Sequence, residues 1–145
     1  MIRKFISGEL GRCALAYSSG AVIYSLLEIA FRGFTHWTMT LTGGACMTLF
    51  YLAERKLHNR KLWLRCITGT AIITALEFAV GCIVNRKLGW NVWDYSDRRF
   101  NVLGQICPLF SAIWFVMCIP ATALCKIIRK LGSGSGKPSW QEPQA

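Results

Sequence analysis

Two acidic residues lie inside long apolar stretches of the chain, where a charge is costly. Glu28 is the only charged residue between residues 13 and 31, and Glu77 shares residues 63–84 with Arg65 alone. A carboxylate within a membrane span costs about 2.5–3.5 kcal/mol on insertion scales, so it faces the bundle interior or a cavity. We therefore predict either a polar site that binds a cation or a polar solute, or two acids locked by hydrogen bonds that specify helix packing.

Further polar residues accompany these acids along the chain. Arg32 lies four residues after Glu28, which permits an ion pair across one helical turn. Asp94 and Asn101 lie in the polar segment before the last apolar stretch, and Asn101 is a suitable N-cap for the helix predicted there. The predicted polar site therefore comprises Glu28, Arg32, Glu77, Asp94 and Asn101.

The segment WNVWDYSDRRFN, residues 90–101, mixes aromatic rings with charges. We expect it to fold over the outer end of the bundle as a lid that buries Trp93 and Tyr95. Asp94 would then be partly desolvated, so it needs a cation, Arg32 first or an arginine of the segment second. In the alternative interpretation the rings are plain anchors at the membrane interface and the charges are solvated.

The elements that must position these residues are apolar helices. The chain is 53% hydrophobic and only 17% charged, whereas soluble domains carry about 25% charged residues. Four apolar stretches, at about residues 13–31, 34–53, 63–84 and 102–128, are each long enough to cross a bilayer. Helices satisfy their own backbone in lipid. We therefore predict an all-α, four-span transmembrane bundle over residues 1–130, followed by a flexible cytoplasmic tail at 131–145 that is rich in Gly, Ser and Pro.

The net charge of +10 is unevenly placed along the chain. Of the 17 basic residues, twelve are assigned to the N-terminal segment, the loop between the second and third spans, or the C-terminal end, together with the span ends beside them, and five lie between the other spans. The positive-inside rule then places both termini and the loop between the second and third spans in the cytoplasm. This placement indicates contact with anionic lipid headgroups and argues against nucleic acid as a partner.

The two halves of the chain share a weak pattern. SLLEIAF and GGACMTLF in the first half correspond to TALEFAV and GQICPLF in the second, which matches Glu28 with Glu77, Gly43 with Gly104 and Cys46 with Cys107. This pattern indicates two helical hairpins related by an axis along the membrane normal, with both acids at similar depth and facing each other. Chance similarity between apolar segments is the alternative.

Several function classes lack their sequence signals. The seven cysteines show no metal-ligand spacing, so no metal or cofactor is predicted and most cysteines are expected to pack as small apolar residues. No catalytic set such as HExxH is present, which predicts a protein that is not an enzyme. The 145 residues also contain no GxxxxGK[ST] loop, so ATP would have to be bound by another subunit.

The segment around Trp93 resembles the C-terminal signature of a family of small bacterial membrane proteins, the putative ABC-transporter type IV family. The matching positions are Trp93, Asp94, Tyr95, Ser96, Phe100, Asn101, Gly104, Ile106, Cys107, Ser111 and Trp114. The family's acid followed by RGF is matched by Glu28 and residues 32–34, and its second acid by Glu77. The segment after RGF departs from the family, whose members usually have more proline there.

The resemblance implies a multi-pass protein of the bacterial inner membrane, with export or import driven by a partner ATPase. We accordingly expect a transporter or permease subunit with a polar site near the outer face, acting on an unknown solute. Four spans are few for a permease, so a homo-oligomer or a separate ATPase subunit is expected. The alternative is a structural or regulatory membrane protein whose buried charges hold the fold and whose outer loop meets a partner.

Overall fold

The computed structural model of the protein describes residues 8–133. Its helices are α1 (Glu9–Arg32), α2 (Trp37–Leu57), α3 (Leu62–Gly81) and α4 (Pro108–Ser133). A π-helical turn, Cys82–Lys87, continues α3 without a break. No strand forms in the described part of the chain. The all-α prediction is therefore confirmed.

Three helical segments are long and apolar enough to cross a membrane. They are Glu9–Arg32, Leu62–Lys87 and Pro108–Ser133, and they fit a membrane protein. The predicted second span forms a helix, α2, but α2 is not among the three candidate spans, so a total of four spans is not confirmed. The reason lies in its composition, because α2 carries several threonines and ends in charged residues. Thr42 and Thr48 satisfy their hydroxyls by donating to backbone carbonyls one turn earlier, at 2.7 and 2.9 Å.

Helix α1 packs on α2, and α3 packs on α4. The α1–α2 contact is close because glycines face each other. A Cβ atom at Gly20 would lie 2.4 Å from the Gly43 carbonyl oxygen, and one at Gly43 would lie 2.3 Å from the Cβ of Tyr24. Small residues at such crossings let two backbones approach, which replaces the hydrophobic driving force that lipid does not supply.

The loop between the π-helical turn and α4, residues 88–107, closes one end of the bundle, and we call it the capping loop. Trp93 is only 5% exposed, and its indole nitrogen donates to the Gln105 carbonyl at 3.0 Å. Tyr95 is half-buried and stacks on Phe110, with ring centroids 4.4 Å apart. The predicted burial is confirmed for Trp93, whereas Tyr95 is buried only in part. We call this end of the bundle the loop end.

The predicted start of the last helix was wrong. Residues 102–107 belong to the capping loop, and α4 begins at Pro108, whose missing N–H suits a first turn. Asn101 is therefore not its N-cap. Its amide nitrogen instead donates to the Arg98 carbonyl at 2.8 Å, while its oxygen accepts from the Gly104 N–H at 3.0 Å.

The matched glycines of the two halves do not occupy equivalent places. Gly43 lies inside α2, whereas Gly104 lies in the capping loop with φ of 70°, a conformation that favours glycine. The pattern thus reflects residue type at this pair and not a shared helical position. The predicted tail also begins later, because α4 continues to Ser133. The rest of that tail lies outside the described residues.

Candidate functional site

A cavity of about 420 Å³ lies at the loop end, between α1, the capping loop and α4. Its walls combine aromatic rings with charges of both signs. The charged residues that line it are Glu28, Arg32, Asp94, Asp97 and Arg98. Its size falls in the range of small-molecule sites, about 300–1,000 Å³.

Glu77 lies behind two aromatic rings of this cavity. The Tyr24 hydroxyl donates to one carboxylate oxygen at 2.5 Å, and the Trp114 indole nitrogen donates to the other at 3.0 Å. The two rings stack with centroids 5.2 Å apart. Glu77 is 3% exposed and, among the described residues, forms no ion pair. Both of its partners are neutral donors, so no cation offsets a negative charge here.

Glu28 has the opposite arrangement, because a cation lies beside it. One guanidinium nitrogen of Arg32 lies 3.2 Å from both carboxylate oxygens. The other nitrogen donates to the Val92 carbonyl, and the guanidinium carbon lies 4.6 Å from the centre of the Phe34 ring. The predicted Glu28–Arg32 pair is confirmed, and Arg32 also ties the end of α1 to the capping loop.

The predicted Arg32–Asp94 pair is wrong. Asp94 instead accepts hydrogen bonds from the backbone N–H of Ser96 at 2.9 Å and from its hydroxyl at 2.5 Å. These two bonds hold the pKa of Asp94 below its ordinary value. A carboxylate that bonds the backbone two residues ahead needs no distant cation, and such turns form at little entropic cost.

The structure therefore brings most of the predicted site residues to one place. Glu28, Arg32 and Asp94 line the cavity, and Glu77 closes its base through Tyr24 and Trp114. The remaining predicted residue, Asn101, bonds the backbone of the capping loop and is not among those that line the cavity.

The capping loop also contributes the ring of Tyr95 to the wall of the cavity. Its phenol is uncharged at physiological pH, and burial raises the pKa of the hydroxyl further above its ordinary value.

Asn85 and Gln105, which hold the capping loop in place, were not predicted from the sequence. The Asn85 side chain, in the π-helical turn, accepts from the Val92 N–H at 2.6 Å and donates to the Gln105 side chain at 2.8 Å. Asn85 thereby holds both ends of the capping loop against the end of α3. The available signal was an asparagine near the end of an apolar helix, where a side-chain amide needs partners.

A buried ion pair at the opposite end of the bundle was also missed. Glu54 is 1% exposed and accepts from two nitrogens of Arg65, at 2.7 and 2.6 Å. Arg129 donates to the Glu54 carbonyl at 3.3 Å, which adds α4 to the cluster. The second apolar stretch was predicted to end at residue 53, but α2 runs to Leu57 and turns Glu54 inward. The signal was an arginine one turn inside the third apolar stretch.

Cofactor sites are not evident at either end. Within residues 8–133 no three His, Cys, Asp or Glu side chains group as metal ligands. The cavity instead offers hydrogen-bond donors, carboxylates and aromatic faces, which suit the non-covalent binding of a small polar molecule.

Comparison with known proteins gives one family. The family described as "Putative ABC-transporter type IV" matches residues 11–132, which include all four helices except their outermost residues. No curated protein and no solved structure matches the chain. Since the match covers most of its length and all the residues around the cavity, the chain belongs to the putative ABC-transporter type IV family.

Proposed function

We propose that this protein is an integral membrane subunit of a transport system and that the cavity at the loop end binds the transported solute. The observation that carries the proposal is Glu77. It is a buried carboxyl group with two neutral donors and no ion pair among the described residues, and it lies at the base of a cavity of about 420 Å³. Ionisable groups inside the membrane are costly, and they commonly mark solute or ion pathways.

The proposal includes four spans, with α2 as the second. Both termini and the α2–α3 turn would then lie in the cytoplasm of a bacterial cell, and the loop end would face outward. Trp37 and Trp90 support a position of the loop end at a membrane–water interface, and the basic residues assign its side. The two tryptophans are 59% and 46% exposed, with ring centroids 6.0 Å apart, as expected of rings at the headgroup level. In this arrangement each of the two hairpins, α1–α2 and α3–α4, crosses the membrane twice and returns to the cytoplasmic side.

The proposed partner is a separate ATPase subunit on the cytoplasmic side, joined by a second copy of this chain. The family name supports an ATP-driven system, and the 145 residues contain no phosphate-binding GxxxxGK[ST] loop. In this scheme the chain itself performs no covalent chemistry. It binds, orients and releases the solute, and the partner supplies the energy.

The test is a comparison of cells that carry the wild-type chain with cells that carry Glu77→Gln at equal amounts in the membrane. Untargeted measurement of solutes inside and outside the cells should show at least one that is redistributed by the wild-type chain and not by the variant. The redistribution should cease when ATP is depleted. Identical solute profiles for wild type, Glu77→Gln and cells without the chain would refute the transport function.

A structural role is the second candidate, and one observation favours it. Glu28 is already neutralised by Arg32, and both oxygens of Glu77 already accept hydrogen bonds. Buried polar groups of this kind can serve to specify one packing. Under that role Glu77→Gln would change the stability of the protein but leave every solute profile as it is, and the capping loop would crosslink to a partner protein.

A further inference from the structure

A second, smaller cavity lies next to the polar one. This crevice, of about 90 Å³, lies toward the middle of the bundle, and Tyr24, Leu27, Trp114 and Met117 form part of the wall of both. The rest of the crevice wall is apolar apart from backbone and includes Ile23, Phe50 and Ala121. The combined space is therefore polar at the loop end and apolar below it.

The crevice reaches the side of the bundle. Ile23 on its rim is 43% exposed, and Ala121 on the facing helix is half-buried. Helix α1 packs mainly on α2, and α4 mainly on α3, so the seam between α1 and α4 is the less closely packed side. In a membrane this seam faces lipid, so the space has a lateral entrance as well as an opening at the loop end.

The polar part has an excess of acidic groups. Four carboxyl groups lie at or behind its walls, from Glu28, Glu77, Asp94 and Asp97, against two guanidinium groups, from Arg32 and Arg98. Arg32 pairs with Glu28 and Arg98 pairs with Asp97, which leaves Asp94 and Glu77 without a cation among the described residues. Charge complementarity therefore favours a positive group in this space over a negative one.

The aromatic walls favour the same kind of group. A cation over the face of Trp or Tyr is attracted by the ring quadrupole, and rings of this kind recognise ammonium groups. Tyr24 and Trp114 donate their hydrogen atoms to the Glu77 carboxyl group, at 2.5 and 3.0 Å. Donation to a carboxylate shifts electron density toward the rings, which strengthens their attraction for a cation.

We propose that the two adjacent cavities open into one another and together bind an amphiphile with an ammonium head and a single apolar chain, which enters between α1 and α4. The head lies among the aromatic rings and carboxylates, and the first part of the chain fills the crevice. A crevice of about 90 Å³ is only a few times the roughly 30 Å³ that one water occupies in the liquid, so the rest of the chain extends along the α1–α4 seam into lipid. The inference rests on the proposed function because it assigns a substrate class to that same cavity.

The test measures binding to the purified full chain in lipid nanodiscs. The probes share one brominated dodecyl chain and differ in the head: trimethylammonium, phosphocholine or phosphoglycerol. Bromine quenches nearby tryptophan, so Trp93 and Trp114, which both line the cavity, are kept and the other four tryptophans are replaced. A second protein that keeps only Trp63, at the opposite end of the bundle and 55% exposed, measures simple partition of the probes into lipid.

We expect saturable quenching of Trp93 and Trp114 by both ammonium-bearing probes, about tenfold tighter than by the phosphoglycerol probe. Trp63 should show only unsaturable quenching. Comparison of the trimethylammonium and phosphocholine probes then shows whether the source is a simple amine or a zwitterionic lipid. Equal binding of all three heads, preference for the anionic head, or unsaturable quenching of Trp93 and Trp114 would overturn the proposal.

Two matched variants distinguish binding in the crevice from partition of the probe into the bilayer. Ala121→Phe fills the crevice and should abolish saturable quenching, whereas Ala123→Phe makes the same change at an exposed position and should preserve it. Loss of binding in both variants, or in neither, also overturns the proposal. A chain that redistributes a soluble solute in cells but binds no amphiphile would keep the proposed function and lose only this inference.

Discussion

The buried pair Glu54–Arg65 permits a quantitative prediction about stability. Arg65 donates two hydrogen bonds to a carboxylate that is 1% exposed, at 2.7 and 2.6 Å, while Arg65 itself is 16% exposed. Substitution Arg65→Met keeps the apolar stem but leaves the carboxylate without its cation. Removal of one partner of such a pair costs about 3–5 kcal/mol in free energy of unfolding, because an uncompensated charge remains buried.

The double variant Glu54→Met/Arg65→Met supplies the control for this reasoning. It removes both charges together, and replacement of a buried pair by apolar residues is often neutral or stabilising by about 1–4 kcal/mol. The exposed pair Arg55–Glu9, whose side chains are 40% and 63% exposed, supplies a second control. Arg55→Met should change stability far less than Arg65→Met, because solvent already screens that pair.

The assay is reversible unfolding in mixed micelles, followed by tryptophan fluorescence. The reasoning predicts that the single variant Arg65→Met is much less stable than the double variant. A single variant within about 1 kcal/mol of wild type, or a double variant as unstable as the single one, would show that the pair does not behave as a buried charge pair.

Three further predictions concern topology, the capping loop and the α1–α2 contact. In a chain without its native cysteines, an impermeant thiol reagent should label His58→Cys from the cytoplasmic side and Asp97→Cys from outside, and labelling of position 97 from the cytoplasm alone would reverse the topology. Asp94→Ala should destabilise the capping loop near neutral pH, whereas Asp97→Ala should not, as measured by protease sensitivity of the loop. The lowered pKa of Asp94 means that its contribution is complete above the ordinary value of about 3.9 and is lost as pH falls below it, so wild type and Asp94→Ala should converge in acid. Gly43→Ala should cost about 1–3 kcal/mol in free energy of unfolding, because its Cβ would meet the Cβ of Tyr24 at 2.3 Å, and an unchanged stability would contradict the close contact.

The helices were predictable because their signals are local. Runs of apolar residues indicated where each helix lies, and the cost of an intramembrane carboxylate indicated that Glu28 and Glu77 turn inward. The four-residue spacing was enough to predict the pair of Glu28 with Arg32. Each of these inferences needs only neighbours along the chain.

The misses involve partners distant in sequence. Nothing local assigns Trp114 and Tyr24 to Glu77, since 37 and 53 residues separate them. Asp94 bonds Ser96 and not Arg32, because the short turn that joins Asp94 to Ser96 orders few residues and so forms at a lower entropic cost than a distant ion pair. Glu54 lies beyond the apolar stretch that predicted α2. The charges at residues 54–56 end that stretch, although the helix itself continues to Leu57.

The π-helical turn at the end of α3 carries one more implication, which concerns insertions and deletions. Such a turn has the hydrogen-bonding of a helix that has absorbed one extra residue, and these bulges often occur at functional sites. Deletion of one residue within 82–87 would restore a regular α-helix and keep the apolar span. It would also remove the widened turn from which the Asn85 side chain reaches the Val92 N–H and the Gln105 side chain. Relatives of this chain that lack the extra residue would therefore keep the membrane anchor but need another way to hold the loop over the cavity.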